Sequence, residues 1–143
     1  MGREIMRVRG LGAMLLAATF LAGASHAAGP RRDLVEISRG QDYRGVTYVV
    51  SVDRASRKKV AEGIAITQYQ TLERVHVDGW TSVVTEYVVD CAMPQYKTTR
   101  EYHIDAAGKI LVEEPIDRLT GGWRYGKVSG GGLQALVAAT CTG

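Results

Sequence analysis

The amino-acid sequence predicts an α+β fold: an antiparallel β-sheet of five to six strands, a C-terminal α-helix packed on it, and one disulfide. Three observations lead there. Val, Thr and Tyr recur in alternating runs between polar turns, the pattern of half-buried strands. Only the last segment, around Leu133–Cys141, spaces its apolar residues as a helix does. Both cysteines, Cys91 and Cys141, lie well beyond an export-type leader. The chain has 143 residues and is 45% hydrophobic, enough for one domain with its own core and too apolar for a disordered segment.

Residues 1–27 read as a secretory signal peptide. Arg3, Arg7 and Arg9 make a positive start, and an apolar run extends from Leu11 to Ala24. Ser25-His26-Ala27 then places small residues for cleavage before Ala28. The run is shorter than the roughly 20 apolar residues a bilayer span needs, so the exported chain is expected to carry no membrane span. No Cys follows the run, which removes a lipid anchor, and the expected location is periplasmic or secreted. Residues 28–44 are read as an N-terminal linker and 45–143 as the domain.

Within the domain, Val46, Tyr48, Val50 and Val52 alternate with Thr47, Val49 and Ser51 and predict a first strand. Asp53–Lys59 is a polar, basic stretch expected to connect this strand to the next, Val60–Gln70. In that second strand Gly63 marks a bulge or a close backbone approach. Asp78-Gly79, between Val75-His76-Val77 and the Ser82–Val89 run, is a turn signal. Tyr96 to Ile104 alternates cleanly, Ala106-Ala107-Gly108 turns the chain, and Lys109–Val112 returns, ended by Pro115. Trp123-Arg124-Tyr125, between Gly121-Gly122 and the Ser129–Gly132 run, predicts one more short strand. Leu133, Leu136, Val137 and Thr140 stand at i, i+3, i+4 and i+7, with Cys141 on the same helix face as Val137.

An even cysteine count in an exported chain reads as a disulfide, Cys91 to Cys141, tying the helix to a strand end. The charge is formally +3, but the leader supplies three Arg and one Glu, leaving 15 basic and 14 acidic residues. Nucleic-acid binding, which needs many phosphates neutralised together, is not expected from that balance.

Glu86-Tyr87-Val88-Val89-Asp90-Cys91, then Tyr96, Tyr102 and the Gly108-Lys109 turn, Trp123, and a short helix ending in Cys141 resemble the surface-adhesin protein E family of bacteria. The likeness covers about residues 45 to 142 and rests on order and spacing. It implies a binding protein acting by protein–protein contact without catalysis, whose partner is a host or envelope protein. A neighbouring group, the adhesin complex proteins, shares the layout and implies the alternative of a periplasmic lysozyme inhibitor. The N-terminal lipid-bearing Cys typical of the protein E type is missing, and Ser129–Gly132 is richer in Gly than the family's usual segment before the helix.

The residues themselves carry little catalytic pattern, and no cofactor is expected. No Ser lies in a G-x-S-x-G elbow. Glu113-Glu114 would point to opposite faces of a strand, the wrong arrangement for a shared acid–base site. His76-Val77-Asp78 and His103-Ile104-Asp105 each set a His and an Asp two apart on a strand face, a pattern better explained by solvated polar positions than by a metal. The candidate binding loop is Arg54, Arg57, Lys58 and Lys59, the densest charge after the leader. Its plainer explanation is a charged segment that keeps strands from pairing wrongly. The seven Tyr are expected mostly inside the fold, by the same alternation.

Overall fold

The computed structural model describes residues 32–114, the strand at 124–125 and residues 132–142. The leader, residues 28–31, Pro115, Gly121-Gly122, Trp123 and Ser129–Gly131 lie outside the described residues. Seven strands form one antiparallel sheet: β1 (Leu34–Gln41), β2 (Thr47–Val60), β3 (Gly63–Leu72), β4 (Ser82–Asp90), β5 (Gln95–Ile104), β6 (Ile110–Glu113) and β7 (Arg124–Tyr125). Strands β1 to β6 follow one another in order, and β7 joins β5 beside Gln95 and Tyr96. The helix α1 (Gly132–Cys141) packs on β1, β2, β3 and β4. This is the expected α+β architecture with its disulfide.

Three expectations are corrected. The stretch taken as a linker, 28–44, contains β1, a full strand that pairs with β2 from Leu34↔Asp53 to Gln41↔Thr47. Leu34 and Val35 are adjacent, Glu36 separates them from Ile37 and only polar residues and Gly follow; Val35 and Ile37 pack against the main core. The basic stretch taken as a connection, Asp53–Lys59, is the continuation of β2, which runs for 14 residues. Val75–Val77 is likewise loop and not strand, with Val75 and Val77 exposed.

The sheet has a core on each face. Val52, Ile66, Tyr87, Val89 and Tyr96 meet Leu136 and Val137 of α1. Tyr87 and Tyr96 pack edge to face, with ring centroids 5.7 Å apart, a favoured aromatic geometry. Tyr69, Val84 and Ile104, with Tyr102, form a smaller cluster. In the unbroken β3–β4 register Ile66 faces Tyr87 and Tyr69 faces Val84; Tyr69 stands three positions after Ile66, an odd offset, so the clusters lie on opposite faces. Of the tyrosines, Tyr69, Tyr87 and Tyr96 are buried while Tyr43 is open to solvent.

The turns follow their residues. Asp105 Oδ1 accepts the backbone N–H of Ala107 and of Lys109, both at 2.9 Å, and Gly108 takes φ 83° at the tip of the β5–β6 hairpin. Gly79 takes φ 86° and donates its N–H to the His76 carbonyl. Cys91 directly follows β4 and bonds Cys141 at the end of α1, with Cα atoms 5.6 Å apart.

Candidate functional site

The basic residues of β2 owe their position to a side-chain-supported break in the ladder. β2 pairs with β3 down to Asp53↔Thr67 and resumes at Lys58↔Ala65, so residues 54–57 stand against Ile66 alone. The N–H of Thr67, which the break strips of a strand partner, donates to Ser56 Oγ at 2.8 Å. That hydroxyl in turn donates to the Asp53 carbonyl at 2.6 Å. Asp53 is buried, and its Oδ1 accepts the N–H of Asp33 (2.9 Å) and of Ala55 (3.0 Å). Two short polar side chains thus replace the missing backbone bonds, as buried polar groups require.

The four predicted site residues end in different places. Arg54 Nε reaches Asp33 Oδ2 at 3.2 Å, an exposed ion pair. Arg57 Nε donates to the Thr140 carbonyl at 3.1 Å. A carbonyl in the last turn of α1 lacks a partner within the helix, and a cation there complements the negative end of the helix dipole. Arg57 is therefore a helix-capping residue. Lys58 and Lys59 are exposed and have no ion-pair partner among the described residues. Lys59 stands opposite Ile64, which faces Val89 of the helix-side core, whereas Lys58 stands opposite Ala65 and so projects to the other face.

Arg57 and Lys59 line a shallow, open depression of about 590 Å³ with Glu62, Ile64, Asp90 and Cys91. Its acids are engaged. Glu62 pairs with Lys97. Asp90 Oδ1 accepts the N–H of Ala92 at 3.0 Å and of Met93 at 3.3 Å, and its Oδ2 meets the Gln95 amide. Asp53, Ser56 and Asp90, which shape this end of the sheet, were not among the predicted site residues. The Asp-x-x-Ser spacing from Asp53 to Ser56 was the available signal, because both residue types bond nearby backbone.

The two His-x-Asp pairs come together in an unexpected way. Trp80 lies between the two imidazoles: His76 stacks on it at 4.2 Å and 16°, and His103 meets it at 4.7 Å and 53°. The indole thus contacts both imidazole rings, and among the described residues no group of three or more His, Cys, Asp or Glu is placed to hold a metal. His76 Nδ1 faces both the Asp78 N–H and Asp78 Oδ2, each at 3.2 Å. Trp80 had not been singled out in the sequence, and only the tertiary arrangement marks it.

On the face away from α1, Arg100 spans Glu113 (2.7 Å) and Glu86 (3.6 Å) and covers the Tyr102 ring at 4.5 Å. The Arg100 guanidinium holds the Glu113 carboxyl below the usual carboxylate range. Arg32 covers Tyr69 at 4.7 Å. Three strand hydroxyls are held in structural bonds: Ser82 Oγ and Thr71 Oγ1 share a hydrogen bond of 3.1 Å, and Ser56 supports the break in β2. Both cysteines are in the disulfide. Comparison with protein-family models, with curated proteins and with solved structures finds no match for this chain.

Proposed function

We propose that this is an exported binding protein of the surface-adhesin protein E type, which acts by protein–protein contact without catalysis. One observation carries the reading: Lys58 and Lys59 stand exposed and unmatched on the part of β2 that outruns β1. Elsewhere on the described surface Arg39, Arg44, Arg54 and Arg100 each have a carboxylate partner, and the exposed cations that lack one, Arg32, Arg74 and Lys109, do not stand side by side in sequence. Two unmatched cations on a rigid strand favour contact with an acidic surface. Absence of catalysis rests on the hydroxyls and thiols described above, each committed to a structural bond.

The test is capture of partners from envelope and host extracts by the wild-type protein and by the Lys58→Ser/Lys59→Ser variant. Arg57 is left in place because it caps α1. A partner retained by wild type and weakened in the variant, more so at low salt, is expected. Equal retention by both proteins removes the lysines from the site. Residual lysozyme activity in the presence of the protein separates this reading from the lysozyme-inhibitor alternative. Export is tested independently by mass spectrometry of the envelope protein, whose expected first residue is Ala28; a chain still beginning at Met1 contradicts it.

A further inference from the structure

We infer that the edge of β2 beyond Arg54 receives an extended acidic segment of a partner protein as an added strand. This rests on the binding reading above and names the partner's chemistry. Pairing is the first support. Among the described residues β1 accompanies β2 as far as Leu34↔Asp53, and the Arg54 N–H bond to the Asp33 carbonyl at 2.9 Å is the last bond of that ladder. From Lys58 to Val60 the described pairing of β2 is with β3 alone. Such a strand presents a row of backbone groups to a newcomer, and added-strand recognition uses that row for affinity.

Charge is the second support, and it selects the newcomer. Arg57, Lys58 and Lys59 are consecutive, with Arg57 and Lys59 lining the depression on one face and Lys58 on the other. A second copy of this chain adding the same segment would set Lys and Arg against Lys and Arg, and like charges across a ladder are destabilising. An acidic strand meets cations on both of its faces. Of the nearby acids, Glu62 is matched by Lys97, and Asp90, held by backbone N–H groups, is a single negative charge against the three cations. The third support is rigidity. Asp53 and Ser56 hold the break in the ladder, and Arg57 is anchored to the Thr140 carbonyl, so the edge is preformed.

The probe is a labelled eight-residue peptide of Glu-Glu-Thr-Thr repeats, which carries glutamates on both faces of a strand, titrated into the disulfide-bonded protein and followed by fluorescence anisotropy. Saturable binding is expected, with increased hydrogen-exchange protection of those Lys58–Val60 amides that point away from β3. Lys58→Ser/Lys59→Ser, folded by circular dichroism, should weaken it by about fivefold. N-methylation of alternate peptide residues should weaken it at least about tenfold in one phase and little in the other, because only one set of N–H groups faces β2. Equal binding by both methylated peptides, or by a lysine–threonine peptide, overturns the inference. So does a concentration-dependent dimer that protects the same amides. If the extract partner is captured as above but the glutamate peptide does not bind, the added-strand inference fails and the binding reading stands. If neither binds, both fail.

Discussion

Gly63 shows how much one residue decides in this sheet. It adopts φ 150°, and a Cβ built there would lie 2.2 Å from the Val89 carbonyl oxygen, a backbone atom that cannot swing aside. Gly63→Ala is expected to destabilise the protein by roughly 2–4 kcal/mol, from strain and overlap together, measured by urea unfolding. A loss below about 0.5 kcal/mol contradicts the close approach. Ser56 is the polar counterpart. Ser56→Ala leaves the buried side of the Thr67 N–H without its acceptor and should cost about 1–3 kcal/mol. Gly63 was legible as a special position in the sequence, because a glycine inside a strand pattern signals such an approach. The role of Ser56 was not, since its partner Thr67 is brought opposite only by the break in β2.

At the scale of elements, α1 depends on three attachments: its buried stripe, its disulfide and its cap. Leu136 and Thr140 are fully buried, and the Thr140 hydroxyl is satisfied by the Leu136 carbonyl at 2.7 Å. Leu136→Ala should cost about 2–5 kcal/mol in urea unfolding, because it opens a cavity at the centre of the helix-side core. Replacing both cysteines by Ala frees a loop with a sequence separation of 50. On the chain-entropy model that lowers stability by about 4 kcal/mol. Thermal unfolding under oxidising and reducing conditions reads it, and an unchanged midpoint is the contrary result. The helix and the β5–β6 hairpin were legible because their signals are local: a 3.6-residue spacing in one, strict alternation and an Asp-led turn in the other. β1 and the far half of β2 were not, for a shared reason. Their alternation is broken by charged and polar residues whose satisfaction comes from partners far along the chain, Asp33 for Arg54 and Thr140 for Arg57.

For the whole molecule, burial and surface pairing set the pH limits of the fold. Tyr87 is pushed up to about 12, chiefly by burial, and Tyr69 and Tyr102 are raised for the same first cause. An unfolded tyrosine ionises near pH 10, so between about pH 10 and 12 the unfolded chain has lost protons that the native chain keeps. Stability therefore falls across that interval and is undiminished by these groups below it. The tyrosinate absorbance of these three residues should appear late and together with loss of structure; their ionisation near pH 10 in a still-folded protein contradicts this. On the acid side the shifts are downward. Glu36 is lowered by its bond to Arg39, Asp42 by the Val46 N–H and then Arg44, and Glu113 by Arg100. Their contributions are complete above the ordinary carboxylate range and are lost as pH falls below it. Glu36 and Glu113 are exposed and Asp42 half-buried, so the acid effect is small and largely screened by salt.

The sequence by itself determined the class of the fold, the helix, the β5–β6 hairpin and the cysteine pair, because each depends on neighbours in the chain or on residue counts. Tertiary structure alone decided what the basic residues do. Four cations within six positions look like one patch, yet pairing in space separates them: Arg54 is matched by Asp33, Arg57 caps a helix that lies 83 residues away in sequence, and only Lys58 and Lys59 are left to solvent. It also placed Trp80 between His76 and His103. A charge is visible in sequence, but whether it is neutralised is a property of distances, and those are set by the sheet register and the helix docked on it.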